Sequence, residues 1–425
     1  MSTGTGSGEE TFVIVGGGLA AGTAAGTFRE EGFTGRVVVV GAEPHLPYER
    51  PPLSKGYLSG DATLEDAFVH PVSFYTTRDI ELWLGTPATS VDLDGHSVTV
   101  AGERIRYDRL LLATGSSARR LPAADRSGAP VAYLRTVEDA DRIRTALQPG
   151  RRVVVVGGGW IGLEVAAAAR TAGCDVVVVE PLEQPLLRVL GPTVGAAFAA
   201  LHRRHGVELR TSSNVVELTT RPGPHAADPH PHLSARRSAV VHLDDGTAVE
   251  ADLLVVGIGA VPNVDLAEAA GLKVDNGVVA DEQLCTSNPD VFVAGDIANA
   301  YHPRLGGPVR VEHWDNARGQ GAAAARNMLG AREPYDRLPY FFTDQYDLGM
   351  EYVGHVSSDG YDDLVVRGDL TGAFTAFWAH EGRVMAAMQA NDWDATDPMR
   401  AIVTAGHVDL RALRDPNVPL SEVAG

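Results

Sequence analysis

The chain has 425 residues, a length that calls for two or three domains rather than one core. A hydrophobic share of 44% and a charged share of 21% are those of a globular protein, and no run of about 18 apolar residues offers a membrane span. The formal net charge of -19 argues against nucleic acid as a partner, because phosphate-backbone binders carry a basic face.

The first ten residues have neither a basic start nor an apolar stretch, so no secretory signal is expected and the cytoplasm is the expected compartment. Thr11–Val15 is a short strand-like run broken by Gly16-Gly17-Gly18. Leu19–Phe28 is small and helix-compatible, and Arg36–Val40 is strand-like again, which makes a β-turn-α-β unit. Leu110–Ala113 is a further buried strand, ending at Thr114-Gly115. The pattern then recurs about 140 residues later. Arg152–Val156 is an apolar strand, Gly157-Gly158-Gly159 breaks it, Ile161–Thr171 is helical, and Val176–Val179 is the next strand, closing on Glu180. Asp252–Val256 and Val291–Ala294 read as returns to sheets already begun. Residues Thr219–Ala239 are rich in Pro, His, Arg and Ala and read as a long exposed hairpin loop. His225, His230 and His232 within it are the histidines closest to a metal set, but no cysteine lies near and no metal is expected. After Gly330 the aromatic cluster Pro339-Tyr340-Phe341-Phe342 and the alternating runs Asp363–Val366 and Ala373–Ala379 predict a small α+β C-terminal domain.

The two glycine turns carry the chemistry. The first is Gly16-x-Gly18-x-x-Ala21: a tight turn, a close backbone approach to a pyrophosphate, and a small residue for helix–strand packing. The helix behind it would turn free N–H groups and a positive dipole end toward phosphate. Glu43 follows the second strand and is the candidate for adenosine ribose hydroxyls, with Ala42 in the neighbouring register. The second turn is Gly157-x-Gly159-x-x-Gly162, followed by Glu164 and by Glu180 at the end of the next strand. A carboxylate at Glu180 accepts from ribose hydroxyls and repels a 2′-phosphate, which favours NADH; Arg188, eight residues on, is the only nearby argument for NADPH. Two such sites on one chain imply a resident flavin and an exchanging nicotinamide. Cys174 and Cys285 are the only cysteines and form no CxxC, so a redox disulfide is not expected. Lys55 is one of just two lysines, with Lys273.

The segment Pro47-Tyr48-Glu49-Arg50-Pro51-Pro52-Leu53-Ser54-Lys55 resembles the oxygenase-coupled NADH:ferredoxin reductase family. Ala113-Thr114-Gly115, Leu134-Arg135-Thr136, Gly257-Ile258-Gly259, Ala294-Gly295-Asp296, Glu312-His313-Trp314-Asp315-Asn316-Ala317 and Thr343-Asp344-Gln345-Tyr346 extend the likeness in family order. The architecture is shared with rubredoxin reductases and apoptosis-inducing factor. The resemblance implies an α/β fold of glutathione-reductase type, with two Rossmann-like dinucleotide-binding domains and the α+β C-terminal domain. It implies an FAD-binding domain over 1–118 and 260–330, an NAD-binding domain over 119–259, and a C-terminal domain over 331–425. It implies FAD contacts from Gly16, Gly18, Ala21, Glu43, Arg50, Lys55, Ala113, Arg135, Asp296 and Trp314. NADH contacts would come from Gly157, Gly159, Ile161, Gly162, Glu164, Glu180 and Gly259.

Lys55 and Glu164 are expected to pair beside the flavin, joining the two domains, the lysine stabilising charge on the reduced ring. Trp160 either covers the flavin until nicotinamide displaces it or is a packing residue. The implied partner is a small iron–sulfur ferredoxin serving a monooxygenase or ring-hydroxylating dioxygenase. Rubredoxin is the alternative acceptor, and a signalling flavoprotein of the apoptosis-inducing-factor type is a further alternative that the acidic charge opposes. Arg304, Arg310 and Arg318 bracket Trp314 and are the expected docking cations.

Overall fold

The computed structural model describes residues 10–222, 237–357 and 359–424. They form two compact units. The first takes residues 10–50, Leu64–Ser117 and Val261–Pro339; the second takes Pro51–Thr63, Ala118–Ala260 and the chain from Tyr340 onward.

Each unit is built on a five-stranded parallel sheet whose central strands are Val-rich and buried almost along their length, as a sheet covered on both faces demands. In the first, the order is Val291–Val293, Arg109–Leu112, Thr11–Val15, Arg36–Val40, Ile80–Trp83. In the second it is Glu208–Arg210, Asp175–Val179, Arg152–Val156, Leu253–Val256, Val131–Ala132. Register is in step from one glycine turn to the other: Val15 lies beside Val40 in the first sheet and Val156 beside Val179 in the second. The helices that follow the turns, Leu19–Glu30 and Trp160–Thr171, start within one residue of the expected positions. Three-stranded antiparallel sheets accompany both units, Ala88–Asp92 to Glu103–Arg106 in the first and Val215–Pro222 to Ala248–Ala251 in the second.

From Tyr340 the chain forms a five-stranded antiparallel sheet around the fully buried Trp378, followed by the helix Thr396–Ala405. This gives the expected α+β character, while residues 331–339 pack with the first unit. The hairpin near 219–239 keeps its strands longer than the sequence suggests, with Pro222 opposite Arg237. His225, His230 and His232 lie outside the described residues. The sequence reading assigns no element to residues 187–204. The chain is helical there on both sides of a kink, and Gly191 supplies the kink with φ +73°.

Candidate functional site

In the first unit Gly16 has φ +141°, and a Cβ on it would lie 2.0 Å from the Ala113 carbonyl oxygen. Only glycine makes that turn. Gly18 is the N-cap of Leu19–Glu30, accepts no side-chain cap, and has open space where a Cβ would project. The N–H groups of that first turn have no partner within the helix, which is the arrangement that suits an anion. Ala21 is fully buried, as the small third residue of the motif should be. The Glu43 carboxylate accepts from the Tyr48 hydroxyl at 2.5 Å and from Arg50 at 2.6 Å, and Arg50 also reaches the Tyr48 oxygen at 2.6 Å. Asp296 is buried and accepts from the Ser116 hydroxyl at 2.7 Å, and its backbone carbonyl accepts from Arg310 at 3.1 Å. Trp314 opens the helix Trp314–Met328, with the Arg318 guanidinium 5.4 Å from its ring centre. Gly16, Gly18, Ala21, Glu43, Arg50, Ala113, Asp296 and Trp314 therefore belong to one unit.

The second unit repeats the plan. Gly157 has φ +106°, with a Cβ 2.2 Å from the Gly257 carbonyl oxygen, and Gly159 is an uncapped N-cap facing open space. Gly162 is tighter than its counterpart: a Cβ would stand 2.1 Å from the Gly157 carbonyl oxygen. Glu180 is buried, and its two carboxylate oxygens accept from the Gly158 N–H at 2.6 Å and the Leu182 N–H at 3.0 Å. Ile161 is 44% exposed at the mouth of the turn, unusual for isoleucine. The Gly259 carbonyl accepts from the Arg119 N–H at 2.9 Å. Trp160 packs edge-on to Phe198 and Phe341, with ring centres 5.6 and 5.0 Å away.

Lys55 and Glu164 do pair, at 2.6 Å, with side chains 17% and 4% exposed. The correction concerns where. Residues Pro51–Thr63 belong to the second unit, so the pair is internal to it. The segment is tied there by Leu58 in the core around Val155 and Val165, and by the Tyr57 hydroxyl on Asp141 at 2.9 Å. Arg135 also belongs to the second unit, just ahead of the helix Val137–Ala146 capped by Thr136. One of the three expected docking arginines is corrected too. Arg310 is 12% exposed and engaged with Glu312 at 2.6 Å and with the Asp296 carbonyl, so it braces the Asp296 loop. Arg304 is exposed and paired with Asp336, and Arg318 is exposed beside Trp314.

Comparison with known proteins follows the same lines. Residues 10–321 match the pyridine nucleotide-disulphide oxidoreductase family, and residues 340–424 match the reductase C-terminal family. The ferredoxin–NAD(+) reductase component of an anthranilate 1,2-dioxygenase system from Burkholderia cepacia is 40% identical over 97% of this chain and 98% of its own. A putidaredoxin reductase from Pseudomonas putida is 38% identical over 98% of this chain and 97% of its own. The chain belongs to the oxygenase-coupled ferredoxin reductases of the pyridine nucleotide-disulphide oxidoreductase family. The crystal structure of the ferredoxin reductase for the CYP199A2 system from Rhodopseudomonas palustris superposes with a TM-score of 0.90 at 33% identity, covering 98% of this chain and 100% of that one.

The two cysteines of the chain are not bonded to each other. Cys174 is buried and Cys285 half-buried, both are free, and burial pushes both thiols up, away from the reactive thiolate. Two functional neighbours escaped the sequence reading. The Ser54 hydroxyl donates to Glu164, and the Thr343 hydroxyl donates to it at 2.5 Å. Both lie inside family motifs, and that position was the only available signal.

Proposed function

We propose that this chain is a cytoplasmic, FAD-containing NADH:ferredoxin oxidoreductase that supplies a small iron–sulfur protein serving an oxygenase. The observation that carries the reading is the pair of uncapped helix N-termini behind Gly18 and Gly159, in a chain similar along nearly its whole length to reductase components. The residues fit the groups they are assigned. Open space at Gly18 and Gly159, carbonyl-crowded turns at Gly16 and Gly157, and acids just beyond the second strands suit two dinucleotides.

FAD would be held by the Gly16–Gly18 turn and the first-turn N–H groups at its pyrophosphate, with Ala21 and Ala113 packing the turn. Glu43 and Arg50 would lie on the adenosine side, Asp296 on the ribityl chain and Trp314 by the ring, and the resemblance adds Arg135 and Lys55. NADH would use Gly157, Gly159, Ile161, Gly162 and Gly259 around its pyrophosphate and nicotinamide half. Glu180 would accept from the ribose hydroxyls with the lone pairs its two backbone donors leave available. Its charge would disfavour the 2′-phosphate of NADPH. A bound flavin supplies hydride acceptance from nicotinamide and one-electron release to an iron–sulfur centre. The chain's own part is orientation and electrostatics: Glu164 fixes the Lys55 ammonium, and Lys55 offers a fixed positive charge to a developing anion. Steady-state reduction of a ferredoxin with each nicotinamide tests this, with a higher kcat/KM expected for NADH; equal use of NADPH removes Glu180 from its role.

A further inference from the structure

Glu164 is the inner end of a buried hydrogen-bond chain that neither glycine turn requires. An ionised carboxylate only accepts, so the Thr343 hydroxyl directs its proton to Glu164 Oε1 at 2.5 Å. Thr343 Oγ1 then accepts from the Gln345 amide nitrogen at 3.2 Å, which turns Gln345 Oε1 toward His202 Nε2 at 2.8 Å. An amide oxygen also only accepts, so His202 carries its hydrogen on Nε2. The bare Nδ1 of the neutral ring accepts from the Tyr346 hydroxyl at 3.4 Å. Every donor in the series thus points inward, toward Glu164. His202, Thr343 and Gln345 are each no more than 1% exposed, so water has no access to replace a missing link.

We propose that this series is a positioning relay: His202, acting through Gln345 and Thr343, fixes the Glu164 carboxylate and with it the Lys55 ammonium. The direction of the relay is set by charge. With an anion at its inner end, every link must donate inward; with a neutral amide there, that constraint disappears and His202 is free to carry its hydrogen on Nδ1. The ring tautomer of His202 therefore reports the state of a carboxylate three side chains away. Among the described residues, other charged and titratable groups flank the relay, including Arg170, which acts on Tyr346 at its outer end. Lys55 and Asp344 lie near Glu164, and burial foremost pushes the Asp344 carboxyl up, with Lys55 opposing and Glu164 and Glu351 adding to the rise. At the outer end His205 stacks on Tyr346 at 3.8 Å between ring centres and reaches Asp347 at 3.2 Å. Burial, opposed by the Gln345 hydrogen bond and aided by His205, pushes His202 down to about 4, so the ring stays neutral at ordinary pH.

The consequence for catalysis rests on the proposed function; the relay itself does not. The test uses the holoprotein with 15N-labelled histidine. His202 should show the neutral Nε2–H tautomer in the unsubstituted protein and a mixture, or the Nδ1–H form, in Glu164→Gln. In NADH-dependent flavin reduction, His202→Phe should lower the limiting rate on the order of tenfold, the size of one charge-linked hydrogen bond, with the NADH dependence unchanged. His202→Gln, which keeps a donor, should recover much of that loss. An Nδ1–H tautomer in the unsubstituted protein overturns the proposal. So does a tautomer indifferent to Glu164→Gln, or a folded His202→Phe protein that is reduced at the full rate. Absence of flavin reduction by NADH in the unsubstituted protein would overturn the proposed function instead, leaving the tautomer result to decide the relay.

Discussion

The two glycine turns share one backbone plan and differ in how each treats its helix and its acid. In the first turn the helix stands far enough off for Ala21 to keep its methyl group in full burial. In the second the helix is so close that Gly162 has no room for one. The first acid, Glu43, is clamped by two side chains, Tyr48 and Arg50. The second, Glu180, accepts from two backbone N–H groups, that of Gly158 in the glycine turn and that of Leu182 just beyond it. A side-chain clamp preorganises a site for a resident group, whereas an acid braced by the backbone of the turn keeps its shape while a ligand comes and goes. That contrast matches a retained flavin in one turn and an exchanging nicotinamide in the other, as the proposed function requires.

The contrast is easiest to break at the third motif position. Gly162→Ala should destabilise the protein by about 3 kcal/mol, because a methyl must displace a backbone carbonyl, whereas Ala21→Gly should cost about 1 kcal/mol through helix propensity. Denaturant unfolding of both variants measures this, and equal costs would erase the distinction. Acid should strain the second unit in a way that has its own signature. Burial pushes the His202 imidazole down to about 4 from its ordinary 6.5. Its stability contribution is therefore complete above pH 6.5 and is lost as pH falls toward 4. The loss is roughly 3 kcal/mol by linkage, and His202→Phe should flatten that part of the pH–stability curve.

Smaller effects sharpen the comparison rather than threaten it. Gly18→Ala and Gly159→Ala face open space, so each should fold with a change below about 1 kcal/mol. They should part company in binding: Gly18→Ala loses bound FAD during purification, while Gly159→Ala keeps FAD and raises the KM for NADH. Flavin absorbance per protein and initial rates separate the two, and loss of FAD from both would mean the turns are not divided as described. Glu180→Gln should reduce the preference for NADH over NADPH by roughly tenfold, one charge's worth of discrimination. At the bottom of the scale, Arg304→Ala removes an exposed ion pair with Asp336 and should change stability by less than about 1 kcal/mol.

Much of this was legible in the chain itself, for physical reasons that can be named. The strands Thr11–Val15, Arg36–Val40 and Arg152–Val156 fall where the apolar runs place them, because a doubly covered parallel strand must be apolar along its length and glycine ends it sharply. The Lys55–Glu164 pair was readable from two motifs that each carried one unexplained charge. Its setting was not readable, because nothing local tells Pro51–Thr63 to leave the unit that precedes it. Arg310 looked like a docking cation from its place near Trp314, and only the fold shows it turned inward onto Asp296. His202 was invisible for a different reason: it sits in a helix to which the sequence reading gave no element, and the side chains that hydrogen-bond its ring, Gln345 and Tyr346, lie far along the chain.

The central claim is that one turn of this chain retains a flavin and the other delivers NADH to it, for one-electron export. The most direct test is an anaerobic stopped-flow experiment with the purified flavoprotein. NADH should bleach the bound flavin, and subsequent mixing with an oxidised iron–sulfur ferredoxin should restore the flavin while reducing two ferredoxins for each NADH consumed, as a two-electron donor feeding a one-electron acceptor demands. A flavin that NADH leaves oxidised, or a reduced flavin that passes nothing to the ferredoxin, would contradict the account.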